Sequence, residues 1–209
     1  MNTVQQKRIE LTLNELFNDS RFDHLKMMKG IAKSVFRSVQ PSDFKDVYLA
    51  ISKEQGVDLI KLIRDNQLKN IVEFGTSFGI STLFLAQGVL ETDGQIITTE
   101  LINSKAKKAV QNFKKAGVDH LIEVRVGDAL ETLKGHHDPI DLLLLDGWKD
   151  LYWPIFKMLE SNFHKDTIVY VDNADMEDTQ LFLNRVNQNP KYQYRYLYHG
   201  KVALITKQS

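Results

Sequence analysis

The stretch Ile140–Tyr152, which reads IDLLLLDGWKDLY, decides the fold of this chain. Its apolar run, Leu142–Leu145, is short and unbroken, which is typical of a strand buried on both faces of a parallel sheet. The run stops at Asp146, and an indole, an amine and a phenol follow within a few residues. In open α/β sheets such strand ends face the crevice in which ligands bind. The stretch therefore predicts a central strand and one edge of a ligand site.

The stretch Thr167–Asn173 (TIVYVDN) has the same design, since its apolar run ends in Asp172 and Asn173. The residues between the two runs, from about Leu151 to His164, predict one crossover helix. Right-handed crossovers place two such strands close together with the same polarity. We therefore expect Asp146 at the same sheet end as Asp172 and Asn173, where two carboxylates and an amide oxygen suit Mg²⁺. Each residue alone is better explained as a helix cap or turn former, and it is the match between two strand ends that favours a site.

Length and composition limit the classes of protein to consider. The 209 residues fit one domain, and 43% hydrophobic with 26% charged residues is ordinary for a globular protein. Lys+Arg and Asp+Glu are both 27, so no global basic field attracts nucleic acid or an anionic membrane. The absence of cysteine excludes disulfides and thiolate chemistry. No signal-peptide pattern and no run of ~18 apolar residues is present, which predicts a cytoplasmic protein without membrane contact.

Helical periodicity dominates the first part of the chain. Residues 1–48 are expected to form an N-terminal helical segment or lid, with one apolar face between Ile9 and Phe17 and another between Met27 and Phe36. The main domain is expected to span residues 49–209. A capping-type start, SKEQ, predicts a helix from Ser52 to about Asn66.

Strands and helices then alternate, which predicts a doubly wound α/β fold with helices on both faces of a parallel sheet. The earlier strands are predicted at Asn70–Phe74, Gln95–Thr99 and Leu121–Val126. The helices are predicted at Ile80–Val89, Ser104–Ala116, just after Asp128, and at Asp178–Asn187. The basic cluster Lys105–Lys108 is interpreted as a solvated face of its helix.

The C-terminal part predicts an antiparallel hairpin. Tyr192–Tyr198 and Lys201–Thr206 flank a predicted two-residue connection, His199-Gly200. The tyrosines at 192, 194, 196 and 198 alternate with period two, so we expect all four to cover one face of the sheet.

The turn VEFGTSFGIST (Val72–Thr82) joins a strand, a glycine turn and a helix start. Gly75 permits backbone conformations that let a ligand approach closely. Ser77 replaces the second glycine of the nicotinamide and flavin fingerprint, which disfavours an oxidoreductase. Glu100 closes the second strand 25 positions after Gly75, where an acid can accept hydrogen bonds from ribose hydroxyls. Asp128 suits either an adenine amine or the cap of its own helix.

Several motifs follow one another along roughly the last three-quarters of the chain. They are ISKEQG (51–56), VEFGTSFGIST (72–82), Glu100, VGDA (126–129), LLLDGWKDLY (143–152) and VDN (171–173). In order and spacing they resemble the class I S-adenosylmethionine-dependent methyltransferases, specifically the metal-dependent catechol and caffeoyl-CoA O-methyltransferase group. The segment DGWKDLY is the most specific match.

The resemblance implies a Rossmann-like, mostly parallel seven-stranded sheet of order 3-2-1-4-5-7-6 with the last strand antiparallel. It implies methyl transfer from S-adenosylmethionine to a hydroxyl of a small catechol-like acceptor, with Mg²⁺ or another divalent cation. The implied cofactor-binding residues are Ile51, Glu73, Gly75, Thr76, Ser81, Glu100, Asp128, Ala129, Asp146 and Trp148. The implied metal ligands are Asp146, Asp172 and Asn173. Lys149 matches the lysine that takes the proton from the attacking hydroxyl.

Two departures leave the acceptor open. Gly147 replaces a histidine of animal catechol enzymes, and Val202 stands where those enzymes carry a glutamate that binds the second hydroxyl. The longer insertion of caffeoyl-CoA enzymes after the Asp-Asn pair is absent. A hydroxylated transfer RNA nucleoside is the alternative acceptor, although the zero net charge disfavours it. The segment Asp175–Gln180 is expected to shape the acceptor pocket, and a homodimer is the default assembly.

Overall fold

The computed structural model describes residues 3–21, 43, 47 and 50–208. The helices are α1 (Thr3–Ser20), α2 (Lys53–Asp65), α3 (Ile80–Thr92), α4 (Asn103–Ala116), α5 (Ala129–Thr132), α6 (Tyr152–Leu159) and α7 (Glu177–Asn187). The strands are β1 (Asn70–Phe74), β2 (Gln95–Glu100), β3 (Ile122–Val126), β4 (Ile140–Leu145), β5 (Phe163–Asp172), β6 (Tyr192–Leu197) and β7 (Val202–Lys207). Within these ranges no helix is both long and apolar enough to span a bilayer.

The seven strands form one sheet in the order β3-β2-β1-β4-β5-β7-β6. Strands β1 to β5 pair in parallel, whereas β7 runs antiparallel to both β5 and β6. The predicted fold class and strand order are confirmed. The order reverses between β1 and β4, and parallel α/β sheets bind ligands at such a switch point.

Two apolar clusters cover the two faces of the sheet, and β4 contributes to both. Leu142 and Leu144 belong to the cluster under α1 to α4, whereas Leu143 and Leu145 belong to the cluster under α6 and α7. All four leucines have 0% exposure, so the prediction of a strand buried on both faces is confirmed. Burial of each such side chain contributes about 1.5–3 kcal/mol, which makes β4 the centre of the core.

Helix α1 packs on the sheet domain through buried residues such as Ile9, which joins the cluster under α1 to α4. The Arg8 guanidinium donates to the carbonyls of Lys114 and Lys115 at the end of α4. The helix predicted around Ile9 is therefore present. The second predicted apolar face, Met27–Phe36, lies outside the described residues.

Helix α2 begins at the predicted capping box. The Ser52 hydroxyl accepts from the Gln55 backbone N–H at 3.1 Å, and the side-chain amide oxygen of Gln55 accepts from the Ser52 backbone N–H at 2.8 Å. These reciprocal bonds satisfy two N–H groups that the first helical turn leaves without partners. They fix the point at which the chain enters the helix.

Strand β5 starts earlier than predicted. It begins at Phe163 rather than Thr167, and α6 ends at Leu159 instead of reaching His164. The pairing of β5 with β4 shifts register after Ile140, and the strand also includes polar residues that precede the predicted apolar run.

The C-terminal connection also differs from the prediction. A single 3₁₀ turn, Tyr198–Gly200, joins β6 to β7, so the predicted two-residue connection is wrong. Tyr192 and Tyr194 pack on the cluster under α6 and α7, whereas Tyr198 leaves the strand and packs on the opposite cluster. The Tyr198 hydroxyl donates to Asp58 of α2 at 2.5 Å, which holds its ring on that side. The prediction that all four tyrosines share one face is therefore wrong for Tyr198.

A polar junction ties the N-terminal ends of three strands. The Asp141 carboxylate accepts from the N–H groups of Lys69 and Asn70 at 2.7 and 2.8 Å, and its other oxygen lies 2.8 Å from His164 Nε2. Burial raises the pKa of Asp141, but these hydrogen bonds outweigh burial and leave the pKa below its ordinary value. Strands β1, β4 and β5 are thus joined through one ionised side chain.

We predict that Asp141→Ala lowers the free energy of unfolding by about 1–3 kcal/mol at pH 7, because two backbone N–H groups lose their acceptor. The folded-state pKa of Asp141 is lowered, so its contribution is present above the ordinary aspartate value of about 3.9 and is lost as the pH falls below it. Urea unfolding at pH 7 and pH 3.5 measures both effects. Asp65→Ala is the control, since Asp65 forms only an exposed ion pair with Arg64, worth about 0–1 kcal/mol. Equal losses in both variants would contradict the prediction.

Candidate functional site

A cavity of about 800 Å³ opens at the C-terminal ends of the parallel strands, over the switch point between β1 and β4. This volume lies within the range of small-molecule and cofactor sites. Of the residues that sequence reasoning selected, those lining the cavity are Ile51, Gly75, Thr76, Ser81, Glu100, Asp128, Ala129, Asp146, Trp148, Lys149, Asp172 and Asn173. Only Glu73 of that set is absent from the wall.

The glycine turn after β1 lies directly against the end of β4. Gly75 has φ +112°, and a Cβ atom built there would lie 2.6 Å from the Asp146 carbonyl oxygen. The N–H groups of Gly75 and Thr76 both donate to the Thr99 carbonyl of β2, at 3.2 and 2.9 Å. A side chain at position 75 would therefore push apart the C-terminal ends of β1 and β4, which form the floor of the cavity.

Glu73 lies beneath the turn and is completely buried. One carboxylate oxygen accepts from the Ser81 hydroxyl at 2.6 Å, and the other accepts from the hydroxyls of Thr82 and Thr98 at 2.6 Å each. Burial raises the pKa of Glu73, and the three hydroxyl donors oppose that rise. Its contacts make it an anchor for the turn and for Ser81, which does line the cavity.

Glu100 and Asp128 lie at the same end of the cavity. The two carboxylate oxygens of Glu100 accept from the backbone N–H groups of Ser77 and Ile102, at 2.8 Å each. Burial raises the pKa of Glu100 above its ordinary value, although these N–H donors oppose it. Asp128 caps α5 by accepting from the Leu130 N–H at 2.9 Å, and it also lines the cavity. Asp128 therefore caps its own helix, as one of the two predictions has it. Its position in the cavity wall is also compatible with the other prediction, binding of a ligand.

Asp146 and Asp172 follow β4 and β5 at the opposite end of the cavity. Burial, and after it the charge of Asp172, raises the pKa of Asp146 well above its ordinary value. The Lys149 ammonium lies 3.7 Å from the Asp146 carboxylate and donates to the Gly147 carbonyl at 2.9 Å. Sequence reasoning expected this group of side chains, and the structure brings it together.

The backbone at Asn173 turns away from β5 with φ +55°. Among residues other than glycine, asparagine tolerates this left-handed region best. The Gln55 amide donates to Asp172 Oδ1 at 2.8 Å, while its oxygen completes the capping box of α2. Sequence reasoning gave Gln55 only the capping role. Nothing in the sequence shows that the same side chain reaches a strand 117 positions away.

Lys105 contradicts its predicted role. Lys107 and Lys108 are exposed as expected, but Lys105 is only 4% exposed and lines the cavity. The prediction of a solvated face is wrong for Lys105 because this position faces the glycine turn instead of water. Met176 and Asp178 also line the cavity, in the segment expected to shape the acceptor pocket.

The fold and the cavity define a class: a doubly wound α/β protein with a cofactor-sized site at its switch point and an acidic pair beside a lysine. A family model described as O-methyltransferase matches residues 23–194, and the chain belongs to that family.

Two relatives show how far this similarity extends. A catechol O-methyltransferase of Mycobacterium tuberculosis is 32% identical over 127 residues, which are 60% of this chain and 57% of the relative. A caffeoyl-CoA O-methyltransferase of Medicago sativa is 30% identical over 132 residues, covering 60% of this chain and 53% of the relative. The matches thus span little more than half the length of these relatives.

A solved structure shares the fold. The S-adenosylhomocysteine-bound methyltransferase of Podospora anserina superposes with a TM-score of 0.72 at 22% identity, covering 88% of each chain. At that identity the likeness concerns the architecture alone.

We predict that Gly75→Ala destabilises the protein by at least about 2 kcal/mol, because a methyl group there combines backbone strain with a clash against the end of β4. Gly200→Ala is the matched control, since Gly200 has φ +95° but its Cβ would meet no atom within 4 Å. We expect the control to cost about 1 kcal/mol, from strain alone. Urea unfolding compares the two variants, and equal costs would refute the close approach at position 75.

Proposed function

We propose that this chain transfers a methyl group from S-adenosylmethionine to a hydroxyl of a small catechol-like acceptor with the help of a divalent cation. The observation that carries the proposal is the group formed by Asp146, Asp172 and Lys149 in the cavity of an O-methyltransferase family member. The names of the two relatives support the acceptor class. The S-adenosylhomocysteine bound to the Podospora protein supports the choice of methyl donor.

Glu100 and the glycine turn are assigned to the adenosyl end of the methyl donor. The fixed Glu100 carboxylate retains lone pairs to accept from the two ribose hydroxyls, and Asp128 lies nearby for the adenine amine. Gly75 permits close backbone approach, while Ile51, Ala129 and Trp148 supply apolar wall.

The residues at the acidic end suit a divalent cation. The proposed ligand set is the carboxylates of Asp146 and Asp172 with the amide oxygen of Asn173, all three of which line the cavity. Within the described ranges no group of three His, Cys, Asp or Glu side chains could hold a metal ion, and the proposed set contains two such side chains. The proposed ligands are hard oxygen donors, which Mg²⁺ prefers, and Mg²⁺ commonly binds only one or two carboxylates and keeps open positions. The charge of Asp172 contributes to the raised pKa of Asp146, and a cation held by these residues would offset that repulsion.

Lys149 is the proposed base. In this step Lys149 acts in its uncharged amine form and takes the proton of the acceptor hydroxyl. The oxygen then forms a bond to the methyl carbon, and the carbon–sulfur bond breaks with its electron pair moving to sulfur. The bound cation would supply chelation of two adjacent acceptor oxygens and stabilise the phenolate. Contacts to Gly147 and Asp146 hold the amine at the acidic end. Alignment of reacting atoms is worth about 7–11 kcal/mol, so most of the rate enhancement comes from position.

The decisive experiment measures methyl transfer to a panel of catechols, including caffeate, with Mg²⁺ and then with excess chelator. We expect turnover that the chelator abolishes and Mg²⁺ restores. Turnover that persists in chelator would refute the metal requirement. Binding of the methyl donor without turnover of any catechol would refute the acceptor class and direct the search to other hydroxyls, including those of transfer RNA.

We predict that Lys149→Met lowers kcat by about 10²–10⁴-fold, the usual contribution of a positioned base, with cofactor affinity nearly unchanged. Methionine keeps the length and packing of the side chain. Lys165→Met, at an exposed position of β5, is the control and should retain full activity. Steady-state kinetics with calorimetric cofactor binding separates the two quantities, and a fully active Lys149→Met would exclude this base.

We predict that Asp172→Asn weakens Mg²⁺ binding by at least about tenfold, since it removes one of the two carboxylate charges at the site. The control is Asp150→Asn, because Asp150 is exposed and close in sequence but absent from the cavity wall. Calorimetric titration with Mg²⁺ in the presence of S-adenosylhomocysteine measures the effect. Unchanged affinity in Asp172→Asn would contradict the assigned ligand.

A further inference from the structure

The positively charged side chain of Lys105 is buried near the N-terminus of a helix, where a positive charge is unfavourable. It lies in the first turn of α4, where the helix dipole is positive, and only 4% of it is exposed. A buried ammonium group is costly unless charge and hydrogen-bond partners compensate it. The proposed reaction gives Lys105 no role, so its burial needs a separate explanation.

The contacts of Lys105 within the described residues lie at the adenosyl end of the cavity, where Glu100 and the glycine turn are found. The Lys105 ammonium donates to the Val47 carbonyl at 2.9 Å and to the Ser77 hydroxyl at 3.4 Å, and it lies 5.3 Å from the centre of the Phe78 ring. Ser77 and Phe78 are part of the glycine turn. Val47 belongs to the segment that leads into the cavity residues Ala50 and Ile51.

Ser77 connects the ammonium to the acid of this end. The Ser77 side chain accepts from Lys105, while its backbone N–H donates to Glu100 at 2.8 Å. Ser77 holds φ +48°, a strained value for serine that the surrounding contacts must maintain. The Lys105 charge also opposes the rise that burial causes in the pKa of Glu100.

Among the described residues, the cavity wall contains two cationic side chains. Lys149 lies beside Asp146 at the acidic end, and Lys105 acts on Glu100 at the adenosyl end. Each lysine therefore accompanies one carboxylate that the proposed function uses.

We infer that Lys105 is a positioning residue for cofactor binding: through Ser77 it holds Glu100 in the geometry that accepts the ribose, and its hydrogen bond to the Val47 carbonyl ties position 47 to the glycine turn. The inference rests on the proposed role of Glu100. It separates the two lysines by function, since Lys105 sets affinity for the methyl donor whereas Lys149 takes part in the chemical step.

The first test replaces Lys105 by methionine in the full-length protein. We expect S-adenosylmethionine and S-adenosylhomocysteine to lose affinity equally, by about tenfold, since the two ligands share the same ribose. We expect kcat at saturating cofactor and the affinity for Mg²⁺ to remain within about twofold. Lys105→Arg, which retains the charge, should recover part of the loss. Lys108→Met, one turn further on the exposed face of α4, is the matched control and should bind normally.

A double-mutant cycle with Glu100→Gln distinguishes the inference from a general structural role. If Lys105 acts through Glu100, its replacement in the Glu100→Gln background costs much less cofactor affinity than in the wild type. Additive losses would overturn the inference. So would normal affinity in Lys105→Met, or a loss that falls on kcat instead.

The cycle also keeps the two proposals apart. Normal cofactor affinity in Glu100→Gln overturns the ribose assignment and removes the basis of the inference with it. Reduced affinity in Glu100→Gln with normal affinity in Lys105→Met supports the ribose assignment and overturns the role of Lys105 alone. Should Lys105→Met fail to fold, Lys105→Gln, which keeps a donor without the charge, is judged by the same criteria.

Discussion

The parallel pairing of β4 with β5 is the constraint on which the site depends. Because Leu145 pairs with Val171, the next residues on the two strands, Asp146 and Asp172, must come to the same edge as neighbours. The apolar runs that hold the pairing together also remove both carboxylates from water. The position of the two carboxylates therefore follows from the hydrophobic pattern of the strands. Their mutual repulsion is reduced by the Gln55 amide, which donates to Asp172, and by Lys149, which lies beside Asp146.

The two ends of the cavity differ in their charged side chains. At the adenosyl end the Glu100 carboxylate is fixed by two backbone N–H groups and balanced by Lys105. At the acidic end Asp146 lies close to a second carboxylate, Asp172, and to one lysine, Lys149. In the proposed function, the ribose would bind at the first end and the cation at the second. The same strand edge can thus hold a large ligand in one orientation, because its two ends prefer different chemistry.

The sequence predicts the elements and most of the site, because both depend on local pattern. An unbroken apolar run such as Leu142–Leu145 indicates a buried strand wherever it occurs, and polar residues after such runs reach the ligand edge of a parallel sheet. The strand order came from the family resemblance, since periodicity does not order strands. Contacts between distant segments were not predictable. The three hydroxyls on Glu73, the reach of Gln55 and the burial of Lys105 all need the folded chain. The helical pattern of α4 shows only that position 105 lies near a face boundary.

The polar junction around Asp141 lies at the opposite edge of the sheet from the cavity. The N-terminal ends of these strands are thus hydrogen-bonded to one another through Asp141, whereas the C-terminal ends carry the side chains that line the cavity. Substitutions in the cavity wall, for instance at Met176 or Asp178, do not alter the contacts of the Asp141 junction. Laboratory evolution of this chain can therefore mutate residues at one end of the sheet while the attachment of the strands at the other end is kept.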